Sequence, residues 1–463
     1  MGFQTFVRRT RISVPAADLF RWHIRPGALE RLTPPWEGVK VLEQSDGMTD
    51  GSRVILEVPM GPLPVRWVAE HHGIKEGREF RDVQVSGPFA HWEHIHRFTP
   101  DGPQACYLED HITYALPLDI LSRPLTGSFV RHKLDRMFTY RHNVTQHDIT
   151  AHAAYGSTPP LHVLVTGSTG LVGSALVPFL TTGGHRVTRL VRTTPPDNAD
   201  MAQWDPQTGH LKPTHATALD DVDAVVHLAG DNIASGRWTD SKKTTIRDSR
   251  VRGTRLLCER LSQLEKPPRV LVCASAIGYY GHRGDEILHE TSKAGSDFLS
   301  HVCRDWEAAT APAIQRGIRV VHLRIGIVLS PAGGALAKML FPFRIGVGGV
   351  IGAGRQYTSW IALDDVIGAI HHALYAEHLY GPVNAVSPQP VTNRVFTRTL
   401  GRVLGRPTPV PLPAAAARLA FGELADALLL SSIRVEPAQL LDSKYNFRFP
   451  TLEGALRHLL GKA

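Results

Sequence analysis

The clearest chemical signal in the chain is the glycine-rich turn Gly167-Ser168-Thr169-Gly170-Leu171-Val172-Gly173. It follows an apolar, strand-like run over 161–166 and precedes a helical stretch over 171–181. In that context, the first glycine permits a tight turn, the second lets the backbone approach a pyrophosphate, and the third lets the helix pack on the strand. The helix N-terminus adds free N–H groups and partial positive charge. We therefore predict a dinucleotide cradle formed by Gly167, Thr169, Gly170, Leu171, Val172 and Gly173.

The second strand, predicted over 186–191, indicates which dinucleotide binds. Enzymes that use NAD place an acidic residue near its end to hold the ribose hydroxyls. This strand ends in Arg192, with no acid beside it. A guanidinium pairs with a 2′-phosphate, which a carboxylate would repel. The sequence thus favours NADP(H) over NAD, the alternative being a solvated arginine at a strand end.

The third strand, predicted over 224–228, ends in His227-Leu228-Ala229-Gly230. Taken alone, this is a strand followed by a turn. Following the first two signals, its small residues let the chain pass close to the adenosine side of the cofactor, so Leu228 and Ala229 join the predicted cofactor site.

The elements that position this site alternate strand and helix from residue 161 onward. Further strands are predicted over 269–274 and 319–323, and this alternation is typical of a doubly wound parallel sheet with helices on both faces. We assign residues 161–405 to this α/β Rossmann domain. The Pro-, Ala- and Leu-rich remainder, residues 406–463, is predicted to form a small helical C-terminal cap.

The region before it, residues 1–150, is different. A strand, a helix opened by Pro15, several short alternating strands and a closing amphipathic helix through Phe138 predict an α+β domain with an antiparallel sheet. This order, together with the stretches 19–23 and 32–36, resembles the START-like (SRPBCC, polyketide cyclase/dehydrase) superfamily. The resemblance implies a helix-grip fold enclosing an apolar ligand, and the alternative is a filled core. Residues 151–160, with Pro159-Pro160, are predicted to be a linker.

Charge, hydropathy and the spacing of cysteines and histidines argue against several other classes of protein. The 463 residues carry a net charge of +8, but the basic residues are spread along the chain, so nucleic-acid binding is not expected. No apolar run of membrane-spanning length and no signal-like N-terminus occur, and a cytoplasmic protein is expected. The four cysteines form no CxxC pair and the 24 histidines no HExxH pattern. Scattered surface and core histidines are favoured, and no metal site is predicted.

From residue 161 onward the chain resembles the epimerase family of atypical extended short-chain dehydrogenase/reductases, including its small C-terminal domain of unknown function. The blocks that carry the resemblance are 166–173, 232–254, 274–281, 303–309, 333–336 and 352–365. It implies NADP(H) held by the glycine turn, Arg192, Leu228, Ala229 and Arg250, with Ile327 near the nicotinamide. A START-like domain ahead of it is a known arrangement, and extended reductases often form homodimers. Asp364 and Asp365 are expected to cap a helix.

The usual acid/base groups of such reductases are only partly present. Ser275, after an apolar strand, matches the serine that orients the substrate oxygen. The tyrosine and the lysine four residues later, which transfer the proton, are replaced by Phe298 and Val302. Tyr279 and Tyr280 are therefore the remaining phenols, with a role in the core or the substrate wall as the alternative. The catalytic candidates are Ser275, Tyr279 and Tyr280.

Three functions remain open. The first is an NADP(H)-dependent oxidoreductase or epimerase-like protein acting on a small, apolar substrate. The second is an NADP(H)-binding sensor or scaffold with little catalysis. The third is a lipid- or polyketide-binding protein led by the START-like domain.

Overall fold

The structure is a computed structural model that describes residues 2–45, 47–60, 63–117, 119–195, 200–213 and 221–462; for 119–126 and 213 it describes the backbone alone. Contacts divide the chain into two compact units. The first comprises residues 1–159, 178–184 and 458–463, and the second comprises 160–177 and 185–457. The domain boundaries proposed from the sequence, at 150, 160 and 405, remain predictions.

The first unit contains a seven-stranded antiparallel sheet in the order β1-β7-β6-β5-β4-β3-β2. Its strands are β1 (Gln4–Ile12), β2 (Lys40–Gln44), β3 (Arg53–Met60), β4 (Leu63–Lys75), β5 (Glu79–Ser86), β6 (His91–Pro100) and β7 (Cys106–Ala115). Its helices are α1 (Ala16–Ile24), α2 (Ala28–Leu32) and the long α3 (Asp119–Ala153). The predicted strand–helix–multi-strand–helix order is confirmed.

The core of this unit lies on one face of the sheet. Along β6 and β7, buried residues alternate with more exposed ones, as expected of a sheet with one covered face. Aromatic rings fill much of that face: Phe20 meets Phe98 edge-on at 5.5 Å, and Phe6 contacts Phe138 of α3 at 5.4 Å. A bidentate ion pair, Arg31 Nε to Asp148 Oδ2 at 2.7 Å and Nη2 to Oδ1 at 2.8 Å, joins α2 to α3.

The second unit alternates strands and helices. Its strands are β8 (His162–Thr166), β9 (Arg186–Val191), β10 (Met201–Trp204), β11 (Leu211–Pro213), β12 (Ala224–His227), β13 (Val270–Ala276), β14 (Ile287–Leu288), β15 (Arg319–Ile325), β16 (Ile327–Leu329), β17 (Tyr357–Thr358), β18 (Trp360–Ala362), β19 (Gly381–Ala385), β20 (Val391–Thr392) and β21 (Arg434–Val435). Its helices are α4 (Leu171–Thr182), α5 (Asp240–Ser262), α6 (Phe298–Ala308), α7 (Ala311–Gln315), α8 (Gly334–Arg344), α9 (Leu363–Tyr375), α10 (Asn393–Leu404), α11 (Ala414–Phe421), α12 (Ala438–Asp442) and α13 (Leu452–Leu459), of which the last residues of α4 and α13 are counted with the first unit. A 3₁₀ turn spans Ile277–Tyr280 and a π-helical turn spans Ala425–Leu430.

The main sheet has the order β11-β10-β9-β8-β12-β13-β15-β19. Strands β10 through β19 pair in parallel, and β11 is antiparallel to β10. β9 and β10 extend the sheet on one side of β8, and the chain then returns to place β12 on the other side, so the strand order reverses between β8 and β12. In doubly wound sheets, ligands bind at the carboxyl ends of the strands beside such a switch point. The predicted Rossmann fold is confirmed, and the glycine turn lies at this point.

The C-terminal segment is tied into the second unit by polar contacts. β21 pairs with β14, and the Asp365 carboxylate accepts hydrogen bonds from the backbone N–H groups of Arg448 at 2.7 Å and Phe449 at 3.0 Å.

The expectation of a capping role for Asp364 and Asp365 is wrong: α9 has Ala362 at its N-cap, without a side-chain cap, and both acids lie in the first turn. Burial raises the pKa of Asp365 to about 6.

All four cysteines are free and buried. Among the described residues, no helix is long and apolar enough to cross a membrane.

Candidate functional site at the switch point

The glycine turn packs so tightly that side chains would not fit. Gly167 has φ +68°, and a Cβ there would lie 2.7 Å from the carbonyl carbon of Leu228 and 2.8 Å from the amide nitrogen of Ala229. A Cβ at Gly173 would lie 2.2 Å from the Gly167 carbonyl oxygen. Thr169 and Gly170, by contrast, are exposed at the start of α4. The turn thus exposes these two residues at a helix N-terminus, where an anion is favoured, although the Gly170 N–H is itself bonded to the Gly167 carbonyl oxygen at 3.0 Å.

A buried hydrogen-bond chain fixes the ends of β8 and β12 together. Thr166 Oγ1 accepts from the N–H groups of Leu228–Ala229 and lies 2.6 Å from His227 Nδ1, so its own proton goes to that nitrogen. His227 then donates from Nε2 to Thr254 Oγ1 at 2.9 Å, which also accepts from Trp306 Nε1 at 2.8 Å. Burial lowers the pKa of His227 to about 4, so the ring is neutral at physiological pH. This chain holds the 228–229 backbone against the glycine turn.

The predicted arginines have different environments. Arg192 is exposed just beyond β9, two residues after Leu190, which pairs with Thr166 at the end of β8. Arg250 of α5 is half-buried and donates to the carbonyl oxygens of Ile246 at 3.1 Å and Asp231 at 2.9 Å. Arg192 is therefore available to an anion at the switch point, whereas the Arg250 guanidinium already bonds to backbone.

Ile327 begins β16, away from the main sheet. Its N–H donates to the Ser359 carbonyl oxygen at 2.9 Å, and β16 pairs in parallel with β18. The side chain is half-buried. Its predicted place beside a nicotinamide remains a prediction.

Ser275 belongs to a buried polar group that the sequence did not predict. Its hydroxyl donates to Glu307 Oε1 of α6 at 2.7 Å, and the same carboxylate accepts Nε and Nη2 of Arg324, each at 2.8 Å. Ser275 and Arg324 are paired neighbours on β13 and β15, and each is only 3% exposed. Burial alone would lower the pKa of Arg324, but its bonds to Glu307 raise it, so the guanidinium is a permanent charge. Glu307 thus fixes the Ser275 hydroxyl.

The two tyrosines are not equivalent. Tyr280 is fully buried; its hydroxyl donates to Asn384 Oδ1 at 2.7 Å and accepts from Arg324 at 3.0 Å, and burial raises its pKa to about 12. Tyr279 is partly exposed, and its ring faces the Arg324 guanidinium at 3.5 Å. Tyr280 therefore has the surroundings of a structural residue. Tyr279 is the phenol that a substrate could reach.

Phe298 and Val302 lie on α6 as predicted, at its start and in its second turn. Val302 is buried, and the Phe298 ring meets Trp238 edge-on at 5.4 Å. Both side chains make apolar contacts, so these positions supply neither a phenol nor an ammonium group.

The fold and site define a member of the NAD-dependent epimerase/dehydratase class: residues 163–385 match the NAD dependent epimerase/dehydratase family. The chain belongs to the epimerase family, as its relatives show; epimerase family protein Mb2239 of Mycobacterium bovis is 45% identical over 294 residues, which cover 64% of this chain and 96% of the relative. Residues 12–138 match the family of polyketide cyclases/dehydrases and lipid transport proteins, and residues 412–459 match a domain of unknown function. Both predicted resemblances are confirmed.

Two solved structures extend the comparison. A nucleoside-diphosphate sugar epimerase from Corynebacterium glutamicum is 35% identical, with a TM-score of 0.79, and the match covers 99% of this chain and 90% of that one. The human epimerase family protein SDR39U1, solved with NADPH, is 35% identical with a TM-score of 0.59, over 65% of this chain and 99% of the human one. The ligand of the human relative agrees with the cofactor predicted from Arg192.

Proposed function

We propose that this chain is an NADP(H)-dependent oxidoreductase of the atypical short-chain type, acting on a small, apolar substrate. The observation that carries the proposal is the packing of Gly167 and Gly173, which leaves Thr169 and Gly170 exposed at the start of α4. Arg192, exposed beyond the neighbouring strand, would bind the 2′-phosphate. The human relative's NADPH supports this choice. When bound, the nicotinamide would supply hydride exchange with the substrate.

The chain's own groups would handle the substrate oxygen and its proton. The Ser275 hydroxyl, held by Glu307, offers its oxygen lone pairs to a substrate hydroxyl and passes a proton to the carboxylate, in place of the absent tyrosine–lysine pair. Tyr279 is the second candidate for the proton because it is partly exposed. Tyr280 would support Arg324 rather than react.

Cofactor binding is tested first. Titration with NADPH and with NADH, followed by nicotinamide fluorescence, compares the wild-type protein with Arg192→Ala. The variant should lose roughly tenfold or more in NADPH affinity, a free-energy loss of about 1.4 kcal/mol, with little change for NADH. Arg186→Ala, an exposed arginine at the opposite end of β9, is the matched control. Equal affinities for both nucleotides in the wild type would remove the basis for NADP(H) selectivity.

Turnover is tested next, with a panel of apolar aldehydes, ketones and alcohols. Ser275→Ala and Glu307→Gln should each lower kcat by about 100-fold or more if they transfer the proton. Tyr279→Phe should lower kcat by a similar factor if the Tyr279 phenol transfers the proton instead. NADPH binding by each variant is the control for folding. A panel without turnover would exclude this substrate class.

The apolar contacts of Phe298 and Val302 support a second candidate, an NADP(H)-binding sensor with little catalysis. The two candidates differ in one result. The sensor would bind NADPH and change the stability of the chain, but turn over no member of the panel.

A further inference from the structure

The buried face of the first unit's sheet carries a cluster of histidines and aspartates on four adjacent strands. His71 of β4 pairs directly with Asp82 of β5, and Asp82 pairs with His94 of β6. Two residues further along β6, His96 pairs with Asp110 of β7. Because side chains at i and i+2 share a face, His94 and His96 point the same way. The cluster therefore has imidazoles and carboxylates side by side in the interior.

Three ligand atoms of this cluster converge. Asp82 Oδ2 lies 3.3 Å from His96 Nε2 and 3.7 Å from His94 Nδ1, and ligand atoms of all three residues lie within 4.8 Å of one another. Nitrogen and oxygen ligands about 2.1 Å from a tetrahedral metal ion are separated by about 3.4 Å. Both separations from Asp82 Oδ2 therefore lie within a few tenths of an ångström of the value that a shared ion requires.

The opposite nitrogens of both rings face one carboxylate. His94 Nε2 is hydrogen-bonded to Asp110 Oδ1 at 2.8 Å, and His96 Nδ1 lies 2.7 Å from the same oxygen. The other Asp110 oxygen is 2.6 Å from His142 Nε2 of α3. Histidine ligands of metal ions commonly donate their second N–H to a carboxylate, which fixes the tautomer. With a metal ion bound, His94 would use Nδ1 and His96 would use Nε2, the nitrogen that is hydrogen-bonded to Asp82 Oδ2 at 3.3 Å.

A buried carboxylate beside two imidazoles requires a cation, which is either the proton that His96 Nε2 shares with Asp82 Oδ2 or a metal ion in its place. His96 is only 3% exposed, and its Nδ1, like His71 Nδ1 and Asp82 Oδ1, lacks a well-aligned hydrogen-bond partner among the described residues. These atoms are close enough to interact but are not arranged as ordinary hydrogen bonds.

We propose that His94 Nδ1, His96 Nε2 and Asp82 Oδ2 bind a divalent first-row transition-metal ion inside the START-like unit, with Asp110 as the carboxylate that orients both imidazoles. Two histidines and one carboxylate are a ligand set that suits Zn²⁺ or Fe²⁺ and leaves coordination positions for water or a bound ligand. The sequence offered no HExxH or CxxC spacing because the ligands come from separate strands, joined by the sheet register.

The proposal is tested on the tag-free full chain after removal of metal with a chelator. Co²⁺ titration should give one bound equivalent and visible d–d bands, which Zn²⁺ abolishes by displacement. Asp82→Asn and His96→Gln should each remove the bands. Asp110→Asn should weaken binding by about 10- to 100-fold, as expected of an orienting partner. His111→Gln, next to Asp110 on β7 but on the opposite face, should bind as the wild type does.

Circular dichroism and NADPH affinity identify variants that fail to fold. X-ray absorption of the Zn²⁺-loaded wild type needs no substitution and should count two imidazole ligands. Absence of stoichiometric Co²⁺ binding by the wild type would overturn the proposal, as would binding unchanged in folded Asp82→Asn or an absorption spectrum without imidazole. In that case, the positive charge between His96 and Asp82 would be a shared proton rather than a metal ion.

Discussion

Glu307 of α6 and Arg324 of β15 form a two-pronged ion pair, with both contacts at 2.8 Å, and the same carboxylate holds the Ser275 hydroxyl. One carboxylate therefore links the helix that lacks the usual tyrosine to the strand pair at the candidate site. Removal of one partner from a buried pair costs about 3–5 kcal/mol, because it leaves an uncompensated charge.

Glu307→Gln should accordingly lower the free energy of unfolding of the second unit by about 3 kcal/mol, since the neutral amide leaves Arg324 unpaired. Calorimetric unfolding measures this. The control is Asp305→Asn, because Asp305 is partly exposed and its ion pairs are weak, at 3.3 Å with Arg304 and 3.9 Å with Arg247. Equal stability of Glu307→Gln and the wild type would mean that the pair contributes nothing.

Gly173→Ala should abolish NADPH binding. The added methyl group would lie 2.2 Å from the Gly167 carbonyl oxygen, so the turn would have to open. Fluorescence titration measures the loss. Gly253→Ala is the matched control, because its Cβ would meet only Pro206 at 3.6 Å in the middle of α5, where alanine is the better helix former. Wild-type affinity in Gly173→Ala would contradict the proposed cradle.

His227 should make the second unit sensitive to acid. Burial lowers its pKa to about 4, from an ordinary value of 6.5. Between these values, the unfolded chain binds a proton that the folded chain does not. The stability from the neutral ring is thus complete above pH 6.5 and lost as the pH falls toward 4, by up to about 3 kcal/mol.

His227→Gln removes this titration, so its stability should fall less than that of the wild type between about pH 7 and about pH 4.5. Urea unfolding at both pH values provides the comparison, and exposed His210→Gln should behave as the wild type does. Parallel pH profiles for His227→Gln and the wild type would show that this ring does not titrate as expected.

Asp148→Ala should destabilise the first unit. Asp148 is fully buried and Arg31 is 6% exposed, so the variant removes a buried carboxylate that accepts two bonds from the guanidinium, at a cost of about 3–5 kcal/mol. The double variant Arg31→Met/Asp148→Ala removes both charges and should recover part of the loss. If the double variant is no more stable than Asp148→Ala, the effect is loss of packing rather than an unpaired charge.

The features that could be predicted from the sequence are those that depend on residues close together in the chain. The turn at 167–173 could be found because each glycine has a role that depends on its immediate neighbours, and Arg192 because it ends a recognisable strand. Glu307 and Arg324 were missed as a pair because their partnership depends on packing between α6 and β15. Their one local signal was an arginine inside the apolar run of β15.

The sequence also could not distinguish the roles of neighbouring residues of the same type. Tyr279 and Tyr280 share a turn, yet only the structure separates the buried hydroxyl from the partly exposed ring. Similarly, His94 and His96 are ordinary residues of an alternating strand until the register brings Asp82 and Asp110 beside them.

The hydrogen bonds from the N–H groups of Arg448 and Phe449 to the Asp365 carboxylate limit where the chain can be truncated. Deletion of everything after residue 405 would remove these donors and the strand that pairs with β14, leaving a buried carboxyl without its bonds. The C-terminal segment is therefore not an accessory that can be trimmed or exchanged. A chain that ends at residue 405 should aggregate rather than yield a smaller nucleotide-binding protein. Residues 161–405 and 406–463 should therefore occur together in related proteins.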